Sequence, residues 1–501
     1  MLSRLPLFVV LVWVAALAML APALMALMAE EFRAARAFFF GTLLYSIVAG
    51  LIALAMGGRR SANPLRGQLI ALFAVYSVLP VMLALPFYLS LPRVGFLNAW
   101  FEMISAITTT GATIFDSPGQ LPQYLHLWRA LVGWLGGLLI WIAAVAVFAP
   151  LVIGGFEVRS SANAGVRFAQ EGATADPGDR LARFAARLAP IYVFLTASLW
   201  VGLMIAGEDP FVALCHAMAV LATSGISPVD GVAGADAGFL GEGLILIFFV
   251  FAISRLTFSR GLTGEDKEPL WRDPEIRFAM VLIIVVPAIL FARHWIGGAG
   301  LGNLEGGFVD GLAALWGTLF TVVSFLTTTG FESRAWGGVA DWSGLTTPGL
   351  LLLGLAIIGG GIATTAGGVK LLRIYALYLH GRREVERLVH PSSVGGRGPE
   401  VRRIRREGAQ IAWVFFMLFA MSIALVMVLL ALTGVQFEVA MVLTVSALSN
   451  TGPLAEVAAE VPIYYAGIPD VAKMILAAAM VLGRLEALAI IALLNPEFWR
   501  K

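Results

Sequence analysis

Residues 108–113 read Thr-Thr-Thr-Gly-Ala-Thr within an otherwise oily chain. Threonine is a mediocre helix former and glycine a poor one, so the run marks a place where helix stops. Its chemistry is that of neutral oxygen donors. Thr109 and Thr110 bring hydroxyls, and Gly111, followed by Ala112, can turn carbonyls into directions that other residues resist. Three relatives follow: Ala222-Thr223-Ser224-Gly225-Ile226, Thr327-Thr328-Thr329-Gly330-Phe331 and Ser449-Asn450-Thr451-Gly452-Pro453. Their glycines are separated by 114, 105 and 122 residues. None of the four runs contains a carboxylate. Such a set suits a dehydrated monovalent cation better than calcium, which takes roughly 6–8 oxygen ligands, often carboxylates.

The elements around these runs follow from hydropathy. The 501 residues are 59% hydrophobic and 13% charged, with a mean hydropathy of +0.87. Soluble proteins are roughly 25% charged, so this chain is read as an all-α polytopic membrane protein. Stretches near the 20 or so residues that a spanning helix needs fall at 5–29, 37–57, 67–90, 125–153, 184–206, 238–259, 276–296, 346–380, 409–433 and 469–494. The first is too long for a signal-peptide core and reads as an uncleaved helix. Four shorter amphipathic segments, 96–109, 209–223, 308–328 and 436–449, each end in one of the glycine runs and are predicted to be re-entrant.

The repeating unit is therefore helix, short re-entrant helix, polar glycine turn, helix. It occurs four times in parallel, because an even number of spans separates successive turns. The predicted boundaries are a two-helix extension over 1–60 and repeats over 61–160, 161–265, 266–395 and 396–501. A single run of this kind is also a helix-packing motif, but packing motifs lie inside spans and these interrupt them. Non-helical backbone at membrane depth is tolerated where it is buried in protein or lines an aqueous cavity. Four turns about a pseudo-fourfold axis make a ring of oxygens able to replace a cation's hydration shell, with four helix C-termini aimed at it.

Charge placement sets the orientation. Arg59 and Arg60, the link with Arg159, Arg167, Arg180, Arg183 and Arg187, the link with Arg255, Arg260, Lys267, Arg272 and Arg277, the arginine-rich stretch 382–406 and the terminal EFWRK all fall on one side. That side reads as cytoplasmic, with both termini on it. The arginine-rich stretch serves equally as a positive-inside anchor or as a docking surface for a cytoplasmic partner or anionic lipid. Asp116, Asp230, Asp236, Glu332, Glu456 and Glu460 fall on the opposite side, where they would concentrate cations. One cysteine and five scattered histidines offer neither a disulfide nor a metal-ligand spacing. No nucleophile–base constellation points to an enzyme, and nothing points to nucleic acid.

Two further features lie inside spans. Gly359 to Gly368 places Gly360, Gly361, Ala363, Thr364, Thr365, Ala366 and Gly367 in mid-span, followed by Lys370. This reads either as an intramembrane loop or as a closely packed helix. Arg484 in LGRLEAL is an intramembrane cation and so a functional candidate. Its structural alternative is a pair with Glu486 or a carbonyl.

The quoted turns, with RALVGWLGGLLIWIAAVAVF, FVALCHAMAVLATSGIS, GGGIATTAGGVKLLRIYAL and MVLGRLEALAIIALLNPEFWR, resemble the TrkH/TrkG branch of the Trk, Ktr and HKT potassium-transporter superfamily over nearly the whole chain. The resemblance implies four M1–P–M2 repeats behind two extra N-terminal helices, and potassium uptake across the bacterial inner membrane. It also implies a homodimer and a TrkA-like cytoplasmic regulatory subunit. Nucleotide would enter only through that partner, since this chain carries no phosphate-loop register. The implied filter residues are Thr109, Thr110, Gly111, Ala112, Thr223, Ser224, Gly225, Ile226, Thr328, Thr329, Gly330, Phe331, Asn450, Thr451, Gly452 and Pro453. The implied gate is Gly359, Gly360, Gly361, Ala363 to Gly368, Lys370 and Arg484. Ser224 and Leu454 depart from the usual pattern, where relatives often carry glycine. Gly111 matches the potassium-preferring form. A symporter coupled to sodium or protons on the same fold is the alternative. Glu102, Glu438 and Glu486 are its candidate coupling sites, although a structural role suits each better.

Overall fold

A computed structural model describes residues 7–55, 64–149, 177–254, 273–301, 308–345, 347–390 and 408–485. Arg59, Arg60, Arg159, Arg167, the 255–272 link, residues 391–407, Glu486 and the C-terminal EFWRK lie outside those residues. The described residues are helical, with no strand among them.

The chain opens with α1 (Leu7–Ala18) and α2 (Leu20–Met28). Pro22 has no N–H for the carbonyl of Ala18, and the helix relaxes at Met19 between the two. Next come α3 (Phe32–Ala55), α4 (Pro64–Ser77), α5 (Leu79–Ser90) and the short α6 (Phe96–Ile107). Then follow α7 (Gln123–Ala143), which continues through a π turn over Ala144–Phe148, α8 (Pro177–Ile205), α9 (Pro210–Ala222) and α10 (Gly238–Ile253). The third quarter of the chain forms α11 (Pro274–Leu301), α12 (Phe308–Leu326), α13 (Gly337–Ser343) and α14 (Gly349–Ile358). The remainder is α15 (Leu371–Val389), α16 (Ala409–Leu432), α17 (Phe437–Ser449), the single-turn α18 (Leu454–Val457) and α19 (Asp470–Leu485).

Eight helical segments among the described residues are long and apolar enough to cross a membrane. Seven coincide with spans read from the sequence. The eighth, Val309–Leu326, lies within the segment 308–328 that the sequence reading took as re-entrant. Its 18 residues reach span length by length and composition, because one charge, Asp310, interrupts an otherwise apolar helix. It still ends at a glycine turn, as the shorter α6, α9 and α17 do. The expected span at 346–380 is broken between α14 and α15, as the loop reading of Gly359–Gly368 requires. The 238–259 stretch contributes 16 helical residues among those described.

The packing is cyclic. The helix after the first turn, α7, packs on α9, which leads into the second turn. In the same way α10 packs on α12, and α14 packs on α17. The last helix, α19, closes the circle on α6. The four turns thus meet at one place, within a continuous buried core.

Candidate functional site

Each of α6, α9, α12 and α17 stops in the same way. The residue two before the glycine takes left-handed backbone: Thr109 at φ 53°, Thr223 at 50°, Thr328 at 57° and Asn450 at 55°. The next amide bonds back five residues, Thr110 to Ser105, Ser224 to Ala219, Thr329 to Ser324 and Thr451 to Ser446, each at 2.9 Å. This is the Schellman helix stop, here with Thr or Asn in the position that glycine usually fills. Left-handed backbone costs such residues roughly 1–2 kcal/mol each, and the cyclic packing must hold it.

The glycines then close a ring. A side chain at Gly111 would lie 1.9 Å from the Ser224 carbonyl oxygen, and one at Gly225 would lie 2.3 Å from that of Thr329. One at Gly330 would meet the Pro453 ring at 3.0 Å, and one at Gly452 would meet the Ala112 nitrogen at 2.1 Å. Each turn therefore abuts the next, and the fourth abuts the first. Gly111, Gly225 and Gly330 also have positive φ (76°, 62° and 85°). The Gly452 amide donates to the Thr110 carbonyl at 2.5 Å, joining the fourth turn to the first. Phe331 and Ile226 are buried beside the ring and line the same cavity as Gly111, Gly225 and Gly330.

Buried polar groups brace the turns from behind. Glu102, nine residues before Gly111, accepts from the Thr113 hydroxyl (2.8 Å) and the Ile114 amide (2.7 Å). Its other oxygen meets Arg129 at 2.7 Å. The corresponding position in the second turn is His216, whose Nε2 lies 2.8 Å from Ser227 Oγ. In the third turn Thr321 accepts from the Ser333 amide. Glu242 adds acceptors there for Ser333 Oγ, the Arg334 amide and Trp316 Nε1. In the fourth, Ser446 Oγ bonds Tyr465 Oη at 2.7 Å, and that hydroxyl donates to Gly452 O. Glu102 is therefore a structural brace. Glu438 is exposed, which ill suits a buried coupling site.

Residues 359–370, all buried, lie against one side of the ring. Gly359 ends α14 at φ 72°, and Lys370 starts α15 at φ 86°. The loop reaches three of the four turns. Thr365 Oγ1 donates to Leu221 O at 3.1 Å, and the Gly367 amide donates to Thr328 Oγ1 at 2.7 Å. A side chain at Gly367 would meet Ser449 O at 2.0 Å. Behind the loop, the Gly361 amide bonds Ala252 O and the Ile362 amide bonds Glu275 Oε1. Arg484 donates to Thr365 O at 2.7 Å, the carbonyl pairing left open by the sequence. Lys370 Nζ donates to Ala366 O. Arg484, Lys370, Ala363 and Thr364 share a cavity of about 20 Å³, and no carboxylate lines it among the described residues.

The other side opens into a cavity of about 200 Å³ lined by Gly111, Gly225, Gly330 and Pro453 at its floor and by Asp116, Asp230, Glu332 and Glu456 on its walls. Asp236 and Glu460, grouped with them by sequence, are not among its lining residues. Burial, reinforced by the negative charges of Glu456 and Asp230, pushes the Glu332 carboxyl up to about 7. Burial, with Asp230 and Asp116, also raises Glu456. Sequence reasoning missed Arg129, Glu242 and Tyr465. The signal was there for two of them, as lone charges inside helices of high hydropathy. Tyr465, in a loop after the fourth turn, left none.

Comparison with known proteins gives concordant matches. The TrkH family, described as cation transport protein, matches residues 39–171 and 269–500. The "Trk system potassium uptake protein TrkH" of Vibrio parahaemolyticus is 32% identical over 498 residues, 96% of each chain. The protein of that name from Escherichia coli K12 is 33% identical over 434 residues, 85% of this chain and 84% of the relative. The crystal structure of the potassium transporter TrkH from Vibrio parahaemolyticus superposes with a TM-score of 0.81 at 27% identity, covering 99% of both chains.

Proposed function

The chain belongs to the TrkH cation transport family, and from that premise we propose that it takes up potassium across the bacterial inner membrane through the ring of four turns. The observation that carries this reading is the ring's closure: each glycine faces the backbone or proline of the next turn, and the fourth faces the first.

A potassium ion entering from the acidic cavity exchanges water for the oxygens of Thr109, Thr110, Gly111 and Ala112 and their counterparts. These are Thr223, Ser224, Gly225 and Ile226; Thr328, Thr329, Gly330 and Phe331; and Asn450, Thr451, Gly452 and Pro453. Carbonyl and hydroxyl dipoles suffice for a monovalent ion, and four helix C-termini add favourable partial charge. At Gly111, Gly225 and Gly452 a side chain would strike the neighbouring turn's backbone, and at Gly330 it would press on the Pro453 ring. On the reading of four M1–P–M2 repeats, 61–160, 161–265, 266–395 and 396–501 supply one quarter each, and 1–60 packs outside.

The gate is the loop Gly359–Lys370 with Arg484. Its position against three turns blocks the path, and the buried guanidinium of Arg484, which has no carboxylate partner among the described residues, opposes a cation arriving behind the filter. Opening requires Arg484 to release Thr365 and the loop to withdraw. A TrkA-like nucleotide-binding ring on the cytoplasmic side would drive that withdrawal in a homodimer with cytoplasmic termini.

The test is rubidium and potassium uptake into proteoliposomes, with sodium competition and imposed proton and sodium gradients. The proposal expects uptake driven by voltage and resistant to sodium. Equal rates for sodium and potassium would overturn the selectivity, and an obligatory ion gradient would replace the gated pore with symport.

A further inference from the structure

Three of the four turns carry a pair of hydroxyls that straddles the left-handed residue. Thr108 Oγ1 lies 2.8 Å from Thr110 Oγ1, and Thr327 Oγ1 lies 3.1 Å from Thr329 Oγ1. Ser449 Oγ donates to Thr451 Oγ1 at 3.1 Å. Each pair ties the last turn of a pore helix to the residue directly before the glycine. The tie resists rotation of that residue, and with it the aim of its carbonyl.

The second turn lacks the pair. Ala222 occupies the position of Thr108, Thr327 and Ser449. Ser224, the counterpart of Thr110, is buried, and its hydroxyl has no hydrogen-bond partner among the described residues. That hydroxyl faces Gly133 of α7, where an added side-chain carbon would lie 3.5 Å from it. The reason for alanine is also visible. A side-chain carbon at Gly137 would come within 2.9 Å of Ala222 Cβ and 2.7 Å of Tyr192 Oη, so α7, α8 and α9 meet tightly at that point. The brace behind this turn is also lighter. His216 makes one side-chain hydrogen bond, with Ser227, and an edge-to-face contact with Phe331, where Glu102 accepts two hydrogen bonds and forms an ion pair in the first turn.

We propose that Ala222 makes the second turn the compliant quarter of the ring, and that the missing hydroxyl pair limits discrimination between potassium and smaller alkali cations. The inference rests on the reading of the four turns as the filter. A carbonyl ring rejects a smaller ion only while its oxygens resist closing in on it. Three quarters carry the hydroxyl tie against that movement and the second lacks it. The carbonyl of Ser224 is the one that abuts Gly111, so its movement reaches the first turn directly. Ala222 is thus a positioning residue that acts through Ser224, not an ion ligand.

The experiment measures the sodium concentration that halves rubidium uptake by the full chain in proteoliposomes. Ala222→Ser rebuilds the pair. It should raise that concentration about three- to tenfold, the range one net hydrogen bond produces. Thr327→Ala opens a second quarter and should lower it by a similar factor, while Thr327→Ser, which keeps the hydroxyl, should preserve it. An unchanged value in a folded Ala222→Ser protein overturns the inference. If crowding at Gly137 prevents that variant from folding, the Thr327 pair decides: loss with alanine and retention with serine support the inference, and any other pattern overturns it. Wild-type protein with no preference for rubidium over sodium would instead overturn the filter reading itself.

Discussion

The guanidinium of Arg484 donates to the carbonyl of Thr365 at 2.7 Å, tying α19 to the intramembrane loop across 119 residues of sequence. A hydrogen bond from a charged donor is worth about 1.5–3 kcal/mol net. Every 1.4 kcal/mol or so is tenfold in an equilibrium. Arg484→Ala should therefore raise cation flux through the isolated pore protein by about tenfold or more. Arg484→Lys should fall between, because lysine offers a point charge without the planar fork. The measurement is rubidium flux per incorporated protein in liposomes without any regulatory subunit. Unchanged flux in Arg484→Ala would remove this residue from the gate.

The glycines of the ring are not equivalent, and their substitutions should rank accordingly. At Gly111 a side chain would strike backbone, the Ser224 oxygen at 1.9 Å, whereas at Gly330 it would press on the Pro453 ring at 3.0 Å. A ring can give by a few tenths of an ångström, but a buried carbonyl held by its own turn cannot. Gly330→Ser should fold and transport with weakened potassium-over-sodium discrimination. Gly111→Ala should lose uptake outright. Equal loss at both positions would show that left-handed backbone, common to the two, matters more than the contact.

How far the site was legible in sequence depended on repetition. One Thr-Thr-Gly is ambiguous, but four at matching positions specified the turns, their order and their meeting. The break at Gly359 was legible as one of two readings, because five glycines in mid-span leave a helix little reason to persist. The bounds of α12 were legible, at 308–328 for an observed Phe308–Leu326, but its apolar character was underrated, because Asp310 and the small residues after it dilute the signal without breaking the helix. The braces were illegible for a different reason. His216 to Ser227 spans 11 residues, but Glu242 reaches Ser333 across 91, and contacts between repeats leave no mark in local pattern. The hydroxyl pairs lie within three residues of sequence, yet their meaning depends on the left-handed residue between them.

Acidity of the outer cavity gives a pH dependence with a definite sign. Glu332 titrates near pH 7, raised from the ordinary 4.5 by burial first and then by Glu456 and Asp230. Below about pH 7 it holds a proton, the cavity loses negative charge, and fewer cations gather at its mouth. The KM for potassium should fall as pH rises from about 6 to about 8, with little change in maximal rate. Glu332→Gln should flatten that profile. Stability runs the other way. A carboxyl whose folded pKa is raised contributes fully below about pH 4.5 and loses that contribution as pH rises through about 7. Glu332→Gln should therefore unfold at a higher temperature than wild type at pH 8 and at the same temperature near pH 4.5. A KM independent of pH between those limits would separate Glu332 from cation capture.

The Glu102–Arg129 pair tests whether the turns need bracing from behind. Both side chains are buried and meet at 2.7 Å, while Glu102 also holds the Ile114 amide just past the first turn. Breaking a buried pair from one side costs about 3–5 kcal/mol, because the partner is left as an uncompensated charge. Glu102→Gln and Arg129→Met should each lower the unfolding temperature in detergent sharply. The double variant Glu102→Gln with Arg129→Met removes both charges and keeps an acceptor for Ile114. It should recover most of the loss and retain rubidium uptake, with a favourable coupling energy in the double-mutant cycle. Additive losses would mean that the charges act independently. A stable double variant without uptake would mean that the ion pair serves conduction itself as well as the brace.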